Sequence, residues 1–210
     1  MKIAIIGASG FVGRAIVKET LNAKHFVLAI SRSGKFDNDP NLVSLHCDIF
    51  NETDLYESLK NVDVVISAYN SGWSNPNLYN EFIEGNKHII NVIKKLNKRI
   101  IIVGGASSLL LSNNEPLMSQ MAPDWKEKVK GAFDLLFMLR KDESFLWTFV
   151  SPATEILPLE IHEKYNVGGD YVLYNAKGKS QITVADLAHF IVHRAIHDNN
   201  IHKRLTLCNI

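Results

Sequence analysis

Ile3-Ala4-Ile5-Ile6-Gly7-Ala8-Ser9-Gly10-Phe11-Val12-Gly13 decides the fold of this 210-residue chain. The run Ile3 to Ile6 is apolar at every position rather than at alternate ones, which predicts a strand buried on both faces of a parallel sheet. Three glycines at a spacing of three follow at once, and an amphipathic stretch from Phe11 to Leu21 comes next. The order is strand, tight turn, helix. Such a turn suits a dinucleotide. Gly7 permits the sharp bend, Gly10 lets the backbone approach a pyrophosphate, and Gly13 lets the helix pack closely on the strand. The helix N-terminus adds free N–H groups and a partial positive charge for the anion. Gly7, Ser9, Gly10, Phe11, Val12 and Gly13 are therefore the expected pyrophosphate-binding residues.

Outward from this stretch, apolar runs alternate with helical patterns. Strands are expected at His25–Ser31, Val43–His46, Val62–Ser67, Arg99–Val103 and Phe145–Ser151, with helices near Thr53–Leu59, Leu78–Leu96 and Trp125–Arg140. Ser33–Leu42, rich in Asn, Asp, Gly and Pro, reads as a loop. Alternation of this kind predicts right-handed βαβ units: a Rossmann-like, doubly wound parallel sheet in a three-layer α/β/α fold, strand order 3-2-1-4-5-6. Past Pro152 the pattern breaks. Gly168-Gly169 and the alternation Tyr171-Val172-Leu173-Tyr174 suggest a loop and a short hairpin, before a helix from Val184 to His197 and a last strand, Arg204–Cys208. No repeat or linker divides the chain, so residues 1–210 are expected to form one domain, with a small C-terminal portion from about residue 152.

Bulk properties exclude several classes. The hydrophobic share of 46% and charged share of 21% are those of an ordinary globular protein. A net charge of +1, with acids and bases mixed, argues against nucleic acid or an anionic membrane as the main partner. No apolar run approaches the roughly twenty residues that span a bilayer. The first strand shows no cationic segment leading into a long apolar one, and a cytoplasmic location is the expectation. Cys47 and Cys208 are too few for a disulfide framework and read as small core residues.

With the glycine turn in place, the chain resembles the short-chain dehydrogenase/reductase superfamily over nearly its whole length. Asp48-Ile49 looks like the acid-plus-apolar pair that contacts adenine, and Ser67-Ala68 occupies the place of the segment beside the cofactor ribose. Val103-Gly104-Gly105-Ala106-Ser107-Ser108, then Phe149-Val150-Ser151-Pro152-Ala153, resemble the atypical NAD(P)H-binding, NADH-flavin reductase-like group. The resemblance implies cofactor contacts from Ala68, Ser107 and Pro152 as well. It also exposes a departure. Standard members carry a serine and a Tyr-x-x-x-Lys pair that protonates the substrate carbonyl. Ser107 or Ser108 fills the serine place, but Gln120 and Asp124 stand near where the pair belongs. The one literal match, Tyr56 and Lys60, lies in a helix on the flank of the sheet. Ser107 is thus the one catalytic candidate.

The second strand ends Ile30-Ser31-Arg32-Ser33, with no acid before Asp37. An NAD site normally places a carboxylate there for the ribose hydroxyls. Arg32 can instead form paired, charge-assisted bonds to a 2′-phosphate, with Ser31 and Ser33 adding hydroxyls. The expected cofactor is NADP(H) in preference to NAD(H). On the substrate side, loops offer Tyr69, Trp73, Met118, Thr154 and Glu155, with Leu109–Leu111, Met121 and Tyr165 nearby. That inventory suggests an apolar, aromatic pocket for a flat conjugated small molecule. His189, His193 and His197 recur every four residues on one helix, but Leu187, Ala188, Ile191, Val192, Ala195 and Ile196 supply its core face. The histidines then face solvent, and no metal site is expected. Three functions remain open. The first is NADPH-dependent reduction of a flavin or quinone-like acceptor. The second is a non-catalytic NADP(H)-binding, redox-sensing regulator with a protein partner. The third is an epimerase-like isomerase of sugar nucleotides.

Overall fold

The structure, a computed structural model, describes residues 1–32, 34–197 and 200–210. Its first half runs β1 (Lys2–Ile6), α1 (Phe11–Asn22), β2 (Phe26–Ser31), β3 (Leu42–His46), α2 (Glu52–Leu59), β4 (Val64–Ser67), α3 (Leu78–Leu96) and β5 (Arg99–Val103). After two 3-10 turns come α4 (Pro123–Leu139), β6 (Leu146–Ser151), β7 (Glu155–Leu157), β8 (Tyr165–Gly168), β9 (Gln181–Thr183), α5 (Val184–His197) and β10 (Lys203–Asn209). Eight strands form one sheet in the order β3-β2-β1-β4-β5-β6-β10-β8. All neighbours are parallel except β10 and β8. This is the Rossmann-like α/β fold, with the order reversing between β1 and β4.

Burial explains why these strands form the centre. In β1, Ala4 and Ile6 point to one face and Ile3 and Ile5 to the other, and all four are at most 1% exposed. One face receives Leu55 and Leu59 of α2, Phe82, Ile89 and Ile93 of α3, and Leu135, Leu136 and Leu139 of α4. The other receives Ile16 and Val17 of α1 and Leu187, Phe190 and Ile191 of α5. A sheet covered on both sides cannot use alternating polarity, which is why the strands read as unbroken apolar runs. Local chemistry sets the helix ends. The Asn51 side chain accepts the Asp54 N–H at the start of α2, and Asn97 ends α3 in the left-handed conformation. No helix among the described residues is long and apolar enough to cross a membrane.

The C-terminal portion departs from expectation. The short hairpin expected around Tyr171–Tyr174 does not form. β8 pairs instead with the last strand, Val167 opposite Leu207, and β7 pairs in parallel with β9. Beyond Gly168 the chain is drawn off the sheet edge. Asp170 is bonded by Arg204 of β10 at 2.6 Å and 2.8 Å, while its carbonyl accepts the Leu110 N–H. Val172 then docks on Leu109 and Leu111 in a small cluster of its own. The alternation of residues 171–174 thus reflects packing on a neighbouring loop rather than pairing with a local partner strand.

Candidate functional site

Two adjoining cavities open where β1, β2, β4, β5 and β6 end, on the side from which the helices depart. The larger has a volume of about 820 Å³ and the smaller about 190 Å³. Gly10, Ala68, Tyr69 and Asn70 line both, so they form one cleft across the point where the strand order reverses. Open α/β sheets bind ligands at that place.

The glycine turn is shaped for an anion. Gly7 has φ +76°, and a Cβ on it would meet the Ala68 carbonyl oxygen at 2.6 Å. A Cβ on Gly13 would stand 2.1 Å from the Gly7 carbonyl oxygen, so the helix sits against the turn. Gly10 differs: its Cβ would approach only the Gly7 carbonyl oxygen, at 3.3 Å, so its bare side opens to the cleft. No side chain caps the N-terminus of α1, and no acidic residue lies in its first turn. Unpartnered N–H groups at an uncapped helix end, beside a bare backbone, fit a pyrophosphate.

The smaller cavity is lined by Ser9, Ser31, Arg32, Cys47, Asp48, Ile49 and Phe50 together with the turn. Ser31 is buried and its Oγ accepts the Gly34 N–H at 2.9 Å, so it shapes the loop after β2. Asp48 takes the Phe50 N–H on Oδ1 at 3.1 Å, leaving its other oxygen for a ligand. Arg32 is exposed at the rim. Ser33, the third residue of the expected phosphate set, lies outside the described residues.

The larger cavity collects Phe11, Val12, Ala68, Tyr69, Trp73, Phe82, Ser107, Trp125, Lys128, Val129, Pro152 and Thr154, among others. Its hydroxyls are committed elsewhere. Tyr69 donates to the Glu81 carbonyl oxygen at 3.0 Å, and its ring stacks on Phe82 with centroids 6.2 Å apart. Burial, with Glu81 adding in the same direction, pushes its pKa up to about 12. Ser107 is 2% exposed and donates to the Val129 carbonyl oxygen of α4 at 3.3 Å. Thr154 donates to the Ser180 carbonyl oxygen at 2.7 Å. Among the described residues lining this cavity there is no Asp, Glu, His, Cys or Arg.

Sequence-predicted residues outside the cleft are as informative. Met118 lies on the 3-10 turn Leu117–Gln120 and does not line the cavity, whereas Met121 does. Glu155 is exposed on β7, where it accepts from Gln181, and it also stands outside the lining. Tyr56 and Lys60 fall at α2, away from both cavities, with Lys60 paired to Glu57. His189, His193 and His197 occupy the exposed face of α5, and no group of His, Cys, Asp or Glu among the described residues is placed to hold a metal. Conversely, Trp125, Lys128, Val129 and Ala132 of α4 reach the cavity. Their spacing is i, i+3, i+4, i+7, one face of a helix, so periodicity groups the four while the packing of α4 decides that this face meets the cleft.

Comparison with known proteins agrees with this geometry. The family described as NAD(P)H-binding matches residues 7–198. The uncharacterized protein YwnB of Bacillus subtilis is 32% identical over 99% of this chain and 98% of its own. Among solved structures, a candidate NADH-flavin reductase from Streptococcus pneumoniae is 31% identical, with a TM-score of 0.86 over 100% of both chains. A candidate epimerase from Bacteroides thetaiotaomicron is 32% identical, with a TM-score of 0.87 over 100% of this chain and 97% of that one. A glycine turn fitted to a pyrophosphate, a cleft at the switch point of the sheet and a match over most of the length lead to one statement: the chain belongs to the NAD(P)H-binding family.

Proposed function

We propose that the protein is an NADPH-dependent oxidoreductase that reduces a flat conjugated acceptor, a flavin or a quinone-like molecule. The observation that carries this reading is the lining of the larger cavity: apolar and aromatic, joined to the glycine turn, and without a hydroxyl free to give a proton. Reduction of a simple carbonyl requires a proton at oxygen, and positioned acids contribute about 10²–10⁴-fold to such steps. Neither Tyr69 nor Ser107 is arranged to supply it. A conjugated ring asks less of the protein. NADPH, when bound, supplies the hydride, and the acceptor takes its balancing proton from water, giving NADP⁺ and the dihydro form of the acceptor.

What remains for the chain is placement. The turn Gly7–Gly13 holds the pyrophosphate, while Asp48 and Ile49 meet the adenine. Ala68, Ser107 and Pro152 bound the nicotinamide end. Tyr69, Trp73 and Trp125 offer flat surfaces to the acceptor, and holding two rings in contact is most of what the transfer needs. Arg32 at the rim of the smaller cavity favours a 2′-phosphate. The likeness to a candidate NADH-flavin reductase supports the choice of acceptor. A candidate epimerase is equally similar, but that chemistry calls for acid–base groups beside the substrate, and this lining has no carboxylate, imidazole or uncommitted hydroxyl.

The test is oxidation of NADPH by the purified protein against flavins, quinones and aldehydes. Turnover is expected with the first two classes and not with simple aldehydes. Ser107→Ala should lower kcat by less than about tenfold, the mark of an orienting hydroxyl rather than a proton donor. Tight NADPH binding without consumption by any acceptor overturns the reading and leaves a cofactor-binding regulator in its place.

A further inference from the structure

Lys128 is the one Lys among the described residues that line the larger cavity, and no acidic residue stands there to answer it. What sets it apart is its place in the cleft, since several other lysines on the surface are held by carboxylates. Lys130, on the same helix, binds Asp134 at 2.8 Å, Lys94 binds Asp142 at 2.6 Å, and Lys95 binds Glu52 at 2.7 Å. Asp124, four residues before Lys128, is spaced for a helical ion pair. The pair does not form: among the described residues no carboxylate lies within 4.0 Å of the Lys128 ammonium. Instead Nζ stands 5.3 Å from the centroid of the Trp125 ring. Trp125 in turn meets Trp73 edge-on at 6.3 Å, and both indoles are more than half exposed at the cavity mouth. Exposed tryptophans beside an unanswered cation are a costly way to finish a surface, and a reasonable way to receive a flat anion.

Resting on the reductase reading above, we propose that this cavity takes acceptors that are both flat and anionic. The ring lies against Trp73 and Trp125, and a phosphate or carboxylate on its side chain meets Lys128. The residue sets specificity and takes no part in hydride transfer. Its consequence is discrimination between acceptors with the same ring and different charge: flavin mononucleotide is preferred to riboflavin. A charge-assisted contact at a partly solvated rim supports a preference of about five- to tenfold in kcat/KM, smaller at high salt.

Four measurements on the full chain decide it. The first is the ratio of kcat/KM for flavin mononucleotide and riboflavin, for wild type, Lys128→Ala and Lys128→Arg. The ratio should collapse towards one in the alanine variant and persist in the arginine variant. The second repeats the comparison with a carboxylated naphthoquinone and its uncharged parent. Discrimination in both pairs assigns the site to anions generally, and discrimination in the flavin pair alone assigns it to phosphate. The third is the Kd of NADPH, which should shift by less than about threefold in Lys128→Ala, because the glycine turn and Arg32 hold the cofactor's charges. The fourth, quenching of tryptophan fluorescence by each flavin in the NADPH-free protein, needs no turnover. Lys128-dependent binding of flavin mononucleotide without turnover would remove the reductase reading and keep the anion site. A wild-type ratio near one, or an alanine variant that weakens NADPH as much as the flavin, overturns the proposal.

Discussion

Arg32 and Asp48 both line the smaller cavity, and on the reading proposed above they decide what the adenosine end can carry. A ribose 2′-hydroxyl seeks an acceptor at the end of β2. That position holds a guanidinium, which has five donors and no acceptor. A 2′-phosphate reverses the preference, since it offers oxygens to the fork of the arginine. Arg32→Ala should weaken NADPH binding by about tenfold, within the range for a hydrogen bond to a charged group. NADH binding should move little. Titration of both cofactors against both proteins is the check, and equal wild-type affinities would end the NADP assignment. The place of Arg32 on the cavity was legible in the sequence because the residue directly follows a strand whose end is fixed by the fold. Lys128 was not. It sits among charges of both signs on α4, and only the packing of that helix on Phe82 and Ser107 decides which of them meets the cleft.

At the scale of elements, the cleft depends on how closely α3 approaches the loop after β4. Gly85 is buried in α3, and a Cβ there would stand 2.6 Å from the Tyr69 ring and 2.7 Å from Ile49. These two side chains belong to the cavity lining, so space at Gly85 sets the position of the wall. Gly85→Ala gains helix propensity, worth roughly 1 kcal/mol in an open helix. Here the gain is offset by displacement of Tyr69, whose hydroxyl is tied to α3 at Glu81 and cannot swing freely. The expected outcome is a fold retained with cofactor affinity reduced about tenfold, as overpacking of a methyl group costs about 1–3 kcal/mol. Circular dichroism and NADPH titration separate the two effects. Unaltered affinity would mean the wall yields elsewhere.

Elements differ in how far their own residues specify them. β1, β2, β4 and β5 and the helices between them were legible because each strand is an apolar run buried on both faces and each helix has an apolar stripe that covers them. β8 was not, since it is four residues long with no buried position to mark it, and only its pairing with the last strand, Tyr165 opposite Asn209, makes it a strand. Met118, on its 3-10 turn, and Glu155, on β7, fall outside the cavity lining although both stand near the cleft in sequence. A single 3-10 turn or a three-residue strand is too short for a period that gives the direction of a side chain, so proximity in sequence to the cleft stood in for it.

At the scale of the whole molecule, a buried charge ties the late strands to the rest of the sheet. Arg204 enters from β10 with its side chain 1% exposed, and Asp170, itself 46% exposed, answers it with two hydrogen bonds while Arg140 joins from the end of α4. This link binds the late strands to the loop that follows β5, through the Leu110 N–H on the Asp170 carbonyl. Removing the carboxylate strands a buried guanidinium, a change that usually costs about 3–5 kcal/mol. The low end applies, because the Asp170 carbonyl oxygen and Ser108 still accept from Arg204. Asp170→Asn should therefore destabilise by about 3 kcal/mol, which for a chain of this length lowers Tm by about 10 °C. Acid should have a related effect. Burial favours the neutral acid, but the bonds and charge of Arg204, with Arg140, outweigh it and hold Asp170 below the ordinary value of 3.8. A carboxylate depressed in the folded state stabilises fully above its unfolded pKa, and the contribution is lost as pH falls through the folded one. Glu52, held at about 2 by Lys95, Asn91 and His88, and Asp142, also at about 2, add acid sensitivity of their own. Those two are present in wild type and variant alike. The difference in unfolding free energy between wild type and Asp170→Asn, followed by urea titration from neutral pH downward, thus isolates this one link. It should be constant above about pH 5 and shrink below it, and a difference that grew on acidification would show that Asp170 is not the anion on which Arg204 depends.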